Sequence, residues 1–204
     1  TLSDRGNYKQ IYLDTLNGNN PWIFVSSAID SNGNFKLIAP IANADIFRLR
    51  LDDKNYMMLI ITPGENISIK TKGAKLGSDA DIAGSFHTEL LYSTMNASQF
   101  FESRKASLNK QYQDAQSSPK RDSLSAIIIS QFNANDSLQK AALKTQMEKH
   151  PASLAWIFFQ DKLDMSQDFD IIDKTDAATF KAYPENSFVK QRLSLIHISQ
   201  GIVR

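Results

Sequence analysis

The chain has 204 residues, which is enough for one large domain or two small ones, each with a hydrophobic core. Lys and Arg number 23 and Asp and Glu number 22, so a net charge of +1 provides no global field that would recruit nucleic acid or an anionic membrane. The absence of Cys excludes thiol catalysis, disulfides and thiolate metal sites from these residues, and no apolar run approaches the roughly 20 residues of a membrane helix.

The first part of the chain alternates between apolar and polar residues, which is the period of a half-buried strand. Turn signals rich in Asn, Gly and Asp separate the alternating runs. Short strands with turns this frequent predict an antiparallel β-sandwich or open barrel. The predicted strands are residues 8–14, 22–29, 34–40, 46–52, 57–62 and 66–72.

Residues 57–61 (MMLII) are all apolar, which predicts that 57–62 is a central strand buried on both faces. Pro63 and Gly64 follow it and suit the second and third positions of a type II turn. We therefore expect 66–72 to be the antiparallel neighbour of 57–62.

The pattern changes to a helical period after Gly77, and the segment 72–84 is rich in Gly and small residues, as expected for a linker. We predict an α+β chain with a β domain at 1–76 and a helical domain with long helices at 77–204. The predicted helices run from Ser85 to about Gln116, from Ser118-Pro119 to His150-Pro151, over 151–163, over 168–183 and over 187–198.

The three histidines, His87, His150 and His197, lie far apart and have no metal-ligand spacing, so packing or surface roles are favoured. The segment Asp30-Ser31-Asn32-Gly33-Asn34 is similar to a calcium loop, but Ile41 stands where the closing acid is needed, which favours a hairpin turn. The sequence assigns no catalytic, cofactor-binding or metal-binding residue, and no cofactor is expected.

Two sets of charged residues have both a functional and a plain interpretation. An acidic set suggests a divalent cation site, although helix capping and a solvated face are favoured; it comprises Asp161, Asp164, Asp168, Asp170, Asp173 and Asp176. A basic set could line one outer sheet face and dock an acidic partner, although a wet antiparallel face is favoured; it comprises Lys36, Arg48, Arg50, Lys70 and Lys72.

The order of several short motifs resembles a known family over nearly the whole chain. The motifs are Asn32-Gly33-Asn34-Phe35, Pro63-Gly64-Glu65, Gly84-Ser85, His150-Pro151-Ala152-Ser153 and Pro184 to Ser187. Together they resemble the N-terminal domain of unknown function, with its helical extension, that precedes the thioredoxin-like/AhpC-TSA domain of bacterial cell-envelope thiol-disulfide oxidoreductases.

The resemblance implies an exported protein, periplasmic or lipid-anchored as a lipoprotein, whose redox Cys-x-x-Cys lies in a thioredoxin-like domain downstream in the same polypeptide. We expect this chain to be a non-catalytic accessory region, not itself an enzyme, that positions or dimerises the redox domain or selects its partners. Its expected partners are that domain, other proteins or a second copy of itself, without nucleic acid and without a membrane span.

Two alternatives remain open at this point. The first is a free-standing envelope binding module for a peptide or small molecule, with a pocket at the junction of the β and helical parts. Trp22, Phe86 and Trp156 are the candidate aromatic lining, although core packing is favoured for each. The second is a self-standing hydrolase, which no spacing of residues supports. A ligand-induced rise in thermal stability would separate the binding module from a purely architectural role.

Overall fold

The structure is a computed structural model that describes residues 1–16, 21–73 and 75–192. Its composition of antiparallel strands and helices confirms the α+β class. The elements are β1 (Gln10–Thr15), β2 (Trp22–Ala28), β3 (Asp45–Arg50), β4 (Tyr56–Ile61), β5 (Ser68–Lys70), β6 (Asp81–Ala83), α1 (Phe86–Ala115), α2 (Arg121–Lys149), a 3-10 helix (Leu154–Lys162) and α3 (Phe169–Ala182).

Four strands form one antiparallel sheet in the order β2-β1-β3-β4, and β5 and β6 form a separate antiparallel pair. One face of the large sheet is the core face, because Phe47, Leu49 and Leu51 are all buried there, as their alternation predicts. Leu13 on β1 is paired with Leu49 and extends this apolar face.

Two of the predicted strands are wrong in detail. Residues 34–40 form no strand. Phe35 and Leu37 pack against the core face, as their alternation predicts, but their segment does not pair with a strand of the sheet. Residues 66–72 contain only the short β5, which pairs with β6 and not with β4. The partner strand β6 lies inside the segment that was predicted to be a linker.

The turn between β4 and β5 agrees with the prediction. Gly64 has φ +82° and the amide of Glu65 donates to the Thr62 carbonyl at 3.3 Å, as a type II turn requires.

The prediction that 57–62 is a central strand is wrong, because β4 is an edge strand of its sheet. Helix α1 lies against part of this edge and, at Ile60, supplies hydrogen bonds that another strand would otherwise make. The Thr88 hydroxyl accepts from the Ile60 amide at 2.9 Å, and the Ser85 and Thr88 hydroxyls donate to the Ile60 carbonyl, each at 2.8 Å. The part of β4 around Ile60 is therefore covered at its edge as well as on its faces, which agrees with its apolar sequence.

The two long helices match their predictions within a few residues and form an antiparallel hairpin. Residues 151–163 were predicted to be a buried α-helix, but Leu154–Lys162 is a 3-10 helix. A run that is apolar on nearly every side has no preferred period, so it does not distinguish the two helix types. Helix α3 matches its prediction, and helical conformation resumes over 187–192; the rest of the last predicted helix lies outside the described residues.

One continuous core joins the sheet to the helices. Leu59 and Ile60 of β4 belong to the same buried cluster as Leu91 of α1, Leu154 of the 3-10 helix and Val189. A second, smaller cluster lies in the far half of the hairpin and comprises Leu108, Ala115 and Ile128 with Phe132 packed against them. In the described part of the chain, no helix has the length and apolar character needed to cross a membrane.

Candidate functional site

An open groove of about 730 Å³ lies where the sheet meets the helices, and we call it the junction groove. It runs between the edge of β4, the loop 75–79, the first half of α1 and the end of the 3-10 helix. Its volume falls in the range of roughly 300–1,000 Å³ that is typical of ligand sites. The sequence-based expectation of a pocket at this junction therefore corresponds to a real concave surface.

The floor of the junction groove is apolar and rich in soft or aromatic side chains. Tyr92 and Phe159 are buried in it, Met58 and Phe158 are half-buried, and Met95 is exposed. Thioether side chains adapt their shape to different partners, and aromatic rings provide large contact areas. Such a floor can accept apolar side chains of more than one shape.

The position of Tyr92 links the floor to the sheet. Its hydroxyl accepts a hydrogen bond from the Met58 amide at 3.2 Å, and burial raises the pKa of Tyr92 to about 12. The phenol is therefore neutral at physiological pH and holds α1 against β4.

The loop 75–79, which forms one wall of the junction groove, is held in place by one side chain. The Asn55 carboxamide donates to the Gly73 carbonyl at 2.7 Å and accepts from the Leu76 amide at 2.8 Å. Gly77 has φ +79°, and a Cβ there would approach the Tyr92 ring and Met57 to 3.3 Å. The loop can approach the floor this closely because residue 77 is glycine.

The rim of the junction groove is polar and of mixed charge. Lys162 binds Glu102 at 3.0 Å across the end of the groove, and Gln139 of α2 donates to the same carboxylate oxygen at 3.4 Å. The hydrogen bond from Lys162 lowers the pKa of Glu102, and Glu102 in turn raises the pKa of Lys162. An apolar floor with a polar rim is the usual anatomy of a recognition surface.

The three aromatic residues expected to line this site are elsewhere. Trp22 is 53% exposed on β2, at the opposite edge of the sheet. Phe86 packs against the rings of His87 and His150, and Trp156 is buried and donates to the His150 carbonyl at 2.7 Å. The aromatic lining therefore comes from different residues, namely Tyr56, Tyr92, Phe158 and Phe159.

A second polar cluster joins three distant parts of the chain at His87. Its Nδ1 lies 2.9 Å from the Ser153 hydroxyl, and its Nε2 lies 2.7 Å from the Tyr183 hydroxyl. A Ser–His contact at this distance is the pair that nucleophilic catalysis uses, but Ser153 is 2% exposed and also accepts the Ala155 amide. Burial lowers the pKa of His87 despite the nearby Glu65 carboxylate, so the ring is neutral at physiological pH. The cluster therefore connects α1 to the segments that contain Ser153 and Tyr183.

His150 ends α2, where its ring packs against Phe86, and His197 lies outside the described residues. Neither was expected to be a ligand. Among the described residues, no group of His, Asp and Glu is arranged to hold a metal ion.

The acidic set is distributed over separate structural roles. Asp168 is buried and paired with Lys144 and with Lys140, and it accepts the Asp164 amide at 2.9 Å. Asp176 is paired with Arg192 at 2.7 Å. Asp161 stands on the rim of the junction groove, and Asp170 and Asp173 are exposed. The similarity of Asp30–Asn34 to a calcium loop is explained by the Asp30 carboxylate, which accepts the Asn32 and Asn34 amides.

The basic set does not form one wet sheet face, so that expectation is wrong. Arg48 and Arg50 do project from the outer face, but both bind Oδ2 of the buried Asp14, each with a contact at 2.7 Å. Lys70 and Lys72 belong to the other sheet region, where they pair with Asp81 and Asp79, and Lys36 lies in an irregular segment. Asp14 was not identified from the sequence, because its partners Arg48 and Arg50 are distant in sequence and nothing near Asp14 indicates them.

The junction groove itself draws on residues from four separate segments, so a local motif could not reveal it. The one available signal was the uninterrupted apolar run at 57–61, which indicated that another element covers this strand. Comparison of the chain with protein-family models, with curated proteins and with solved structures gives no match.

Proposed function

We propose that this chain is a non-catalytic recognition module that holds a segment of a partner protein in the junction groove. The observation that carries the proposal is the groove itself, with its apolar floor of Met58, Tyr92, Met95 and Phe158 and its polar rim. A segment of protein offers both chemistries at once, since apolar side chains can cover the floor while its polar groups meet the rim.

We further propose that the module serves as the accessory N-terminal region of a cell-envelope thioredoxin-like thiol-disulfide oxidoreductase and selects the partners of the redox domain. The resemblance described above supports this assignment. Thiol-disulfide exchange requires a thiolate, and the 204 residues contain no Cys, so the redox chemistry would belong to the domain downstream.

The binding proposal is tested by selecting a random dodecapeptide library against the whole chain and measuring the affinity of the enriched peptides. Met95→Arg places a charge on the groove floor and should weaken binding by at least about tenfold, because apolar contact is replaced by a charge that must be desolvated. Phe100→Arg is the matched control, since Phe100 is an exposed apolar residue of the same helix outside the groove. Absence of enriched peptides, or equal loss in both variants, would contradict the proposal.

The accessory assignment is tested by reading the gene beyond the codon for Arg204. A continuation into a strand–helix unit with Cys-x-x-Cys would support it. A stop codon would remove it and leave a free-standing binding module, with the groove experiment unaffected.

A further inference from the structure

We infer that the junction groove takes its peptide as an added β-strand on the exposed part of the β4 edge, at Tyr56 and Met58. This inference rests on the proposed function and specifies the conformation and chemistry of the bound segment. The segment is an extended peptide with apolar side chains at alternate positions, and its main chain provides most of the contact with β4.

The direction of each main-chain group of β4 follows from the pairing with β3. Met57 is opposite Leu49 and Leu59 is opposite Phe47, whereas Ile60 directs both its amide and its carbonyl at α1. Groups of alternate residues in a strand point to the same edge. Tyr56 and Met58 therefore direct their amides and carbonyls to the same edge as Ile60, away from β3.

Helix α1 uses only part of this edge. It binds the amide and the carbonyl of Ile60, and through Tyr92 it binds the Met58 amide. The Met58 carbonyl and the amide and carbonyl of Tyr56 have no hydrogen-bonding partner among residues 1–16, 21–73 and 75–192. Three main-chain groups of one strand edge are thus without a partner at the groove. They belong to alternate residues, and the main chain of an added strand would pair with groups at this spacing.

The surroundings of these groups allow a peptide to reach them. Both residues line the junction groove, and Tyr56 is 47% exposed. Asn55, the residue before the strand, holds the loop that forms the opposite wall, so the passage between loop and helix has fixed sides. A small ligand would satisfy one or two of the three groups, whereas a peptide strand satisfies all three with its own repeating donors and acceptors.

An antiparallel strand placed here has a definite register. One peptide residue pairs with Tyr56 through two hydrogen bonds, and the residue two positions earlier donates its amide to the Met58 carbonyl. The peptide amide between them points away from β4. Side chains of the two paired residues stand beside those of Tyr56 and Met58 on one face, which favours apolar residues at alternate positions.

The first experiment uses the unmodified chain and the tightest dodecapeptide enriched from the random library. Each peptide amide is methylated in turn, which removes its donor. Two amides separated by one residue should be sensitive, with a loss of at least about tenfold each, while the amide between them should tolerate methylation. Hydrogen exchange at the Tyr56 amide should slow by at least about tenfold when the peptide binds.

The second experiment separates main chain from side chain at residue 56. Tyr56→Pro removes the amide and should weaken binding by at least about tenfold, and Pro is tolerated at the first residue of a strand. Tyr56→Ala keeps the amide and removes only the ring, so its loss of affinity should be clearly smaller than that of Tyr56→Pro, and equal losses would contradict a main-chain contact at residue 56. Circular dichroism and the thermal midpoint show whether each variant is folded.

The outcomes distinguish this inference from the function on which it rests. Binding that depends on Met95 but shows neither alternate sensitivity to methylation nor protection of the Tyr56 amide would overturn strand addition and leave the recognition module intact. If no dodecapeptide binds, both fall. Alternate sensitivity together with protection of the Tyr56 amide supports strand addition even if Tyr56→Pro does not fold.

Discussion

The two halves of helix α1 are continuous in backbone but differ in their surroundings. In the first half, Leu90 and Leu91 belong to the main core, and Thr88 and Tyr92 bind the main chain of β4. In the second half, Leu108 and Ala115 belong to the small cluster with Ile128 and Phe132 of the neighbouring helix. The first half is thus fixed by contacts from several elements, whereas the second half depends on a two-helix hairpin.

The far half of the hairpin also exposes apolar side chains. Ile127 is 54% exposed and Ile129 is 48% exposed, although neither lies at the junction groove. Two helices have too little facing surface to bury every apolar residue that they carry. The junction groove therefore lies at the well-supported end of α1, where a groove keeps its shape.

The largest expected effect compares two leucines of α1. Leu91→Ala should lower the free energy of unfolding by about 3–5 kcal/mol, because Leu91 is 0% exposed inside a core that cannot collapse around the void. Leu108→Ala should cost about 2 kcal/mol, since the two-helix hairpin can close on the smaller side chain. Urea unfolding monitored by circular dichroism measures both, and equal losses would contradict the proposed difference between the halves.

The next effect concerns the hydroxyl that covers the β4 edge. Thr88→Val should cost about 1–3 kcal/mol, because the buried Ile60 amide loses its acceptor. Thr145→Val is the matched control on α2, where the Thr145 hydroxyl is exposed and donates to the Ala141 carbonyl within the helix. We expect the control to change stability by about 0.5 kcal/mol or less. Similar losses for the two variants would show that the helix–strand bond adds nothing to stability.

A smaller effect depends on pH and arises at the base of α1. Burial lowers the pKa of His87, so the unfolded chain binds a proton more readily than the folded chain. The free energy of unfolding should therefore show no loss from His87 above about pH 6.5, where this histidine is neutral in both the unfolded and the folded chain. It should decrease as the pH falls from there toward the lower pKa of the folded state. The slope from this group is at most about 1.4 kcal/mol per pH unit.

Two variants test whether His87 causes this pH dependence of stability. His87→Gln should flatten the decrease in urea midpoint between about pH 8 and about pH 5, whereas His150→Gln should retain it because His87 is still present. A wild-type stability that does not fall on acidification, or a slope unchanged in His87→Gln, would contradict the role of the buried ring.

The sequence predicts those features of the fold that local periodicity determines. The alternation of 46–52 gives the buried face of β3, and the helical period gives α1 and α2 within a few residues. The pairing of β5 with β6 could not be predicted, because which strand joins which edge depends on long-range packing. The apolar run at 57–61 was interpreted as a central strand, since burial by a helix and burial by a strand leave the same pattern.

The candidate site was harder to predict from the sequence than the fold. Its chemistry comes from main-chain groups at Tyr56 and Met58, and main-chain groups have no sequence signature of their own. The cluster of His87, Ser153 and Tyr183 joins residues that are 66 and 96 positions apart, so no spacing rule could connect them. A groove does lie at the junction of the β and helical parts, but Trp22, Phe86 and Trp156 do not line it, and large aromatic side chains in a sequence do not distinguish a site from a core.

The smallest expected effect lies at the boundary between the two halves of α1, where Glu102 meets Lys162 at the end of the groove. Both side chains are more than a third exposed, so solvent screens the pair, and Glu102→Gln should cost only about 0.2–1 kcal/mol. The loss should shrink when the salt concentration rises to about 1 M, where the Debye length is about 3 Å. A larger loss that persists in high salt would mean that the rim charge fixes the hairpin to the 3-10 helix, and that the supported region of α1 extends beyond the core contacts. Measuring wild type and variant at low and high salt by urea unfolding decides between these two descriptions.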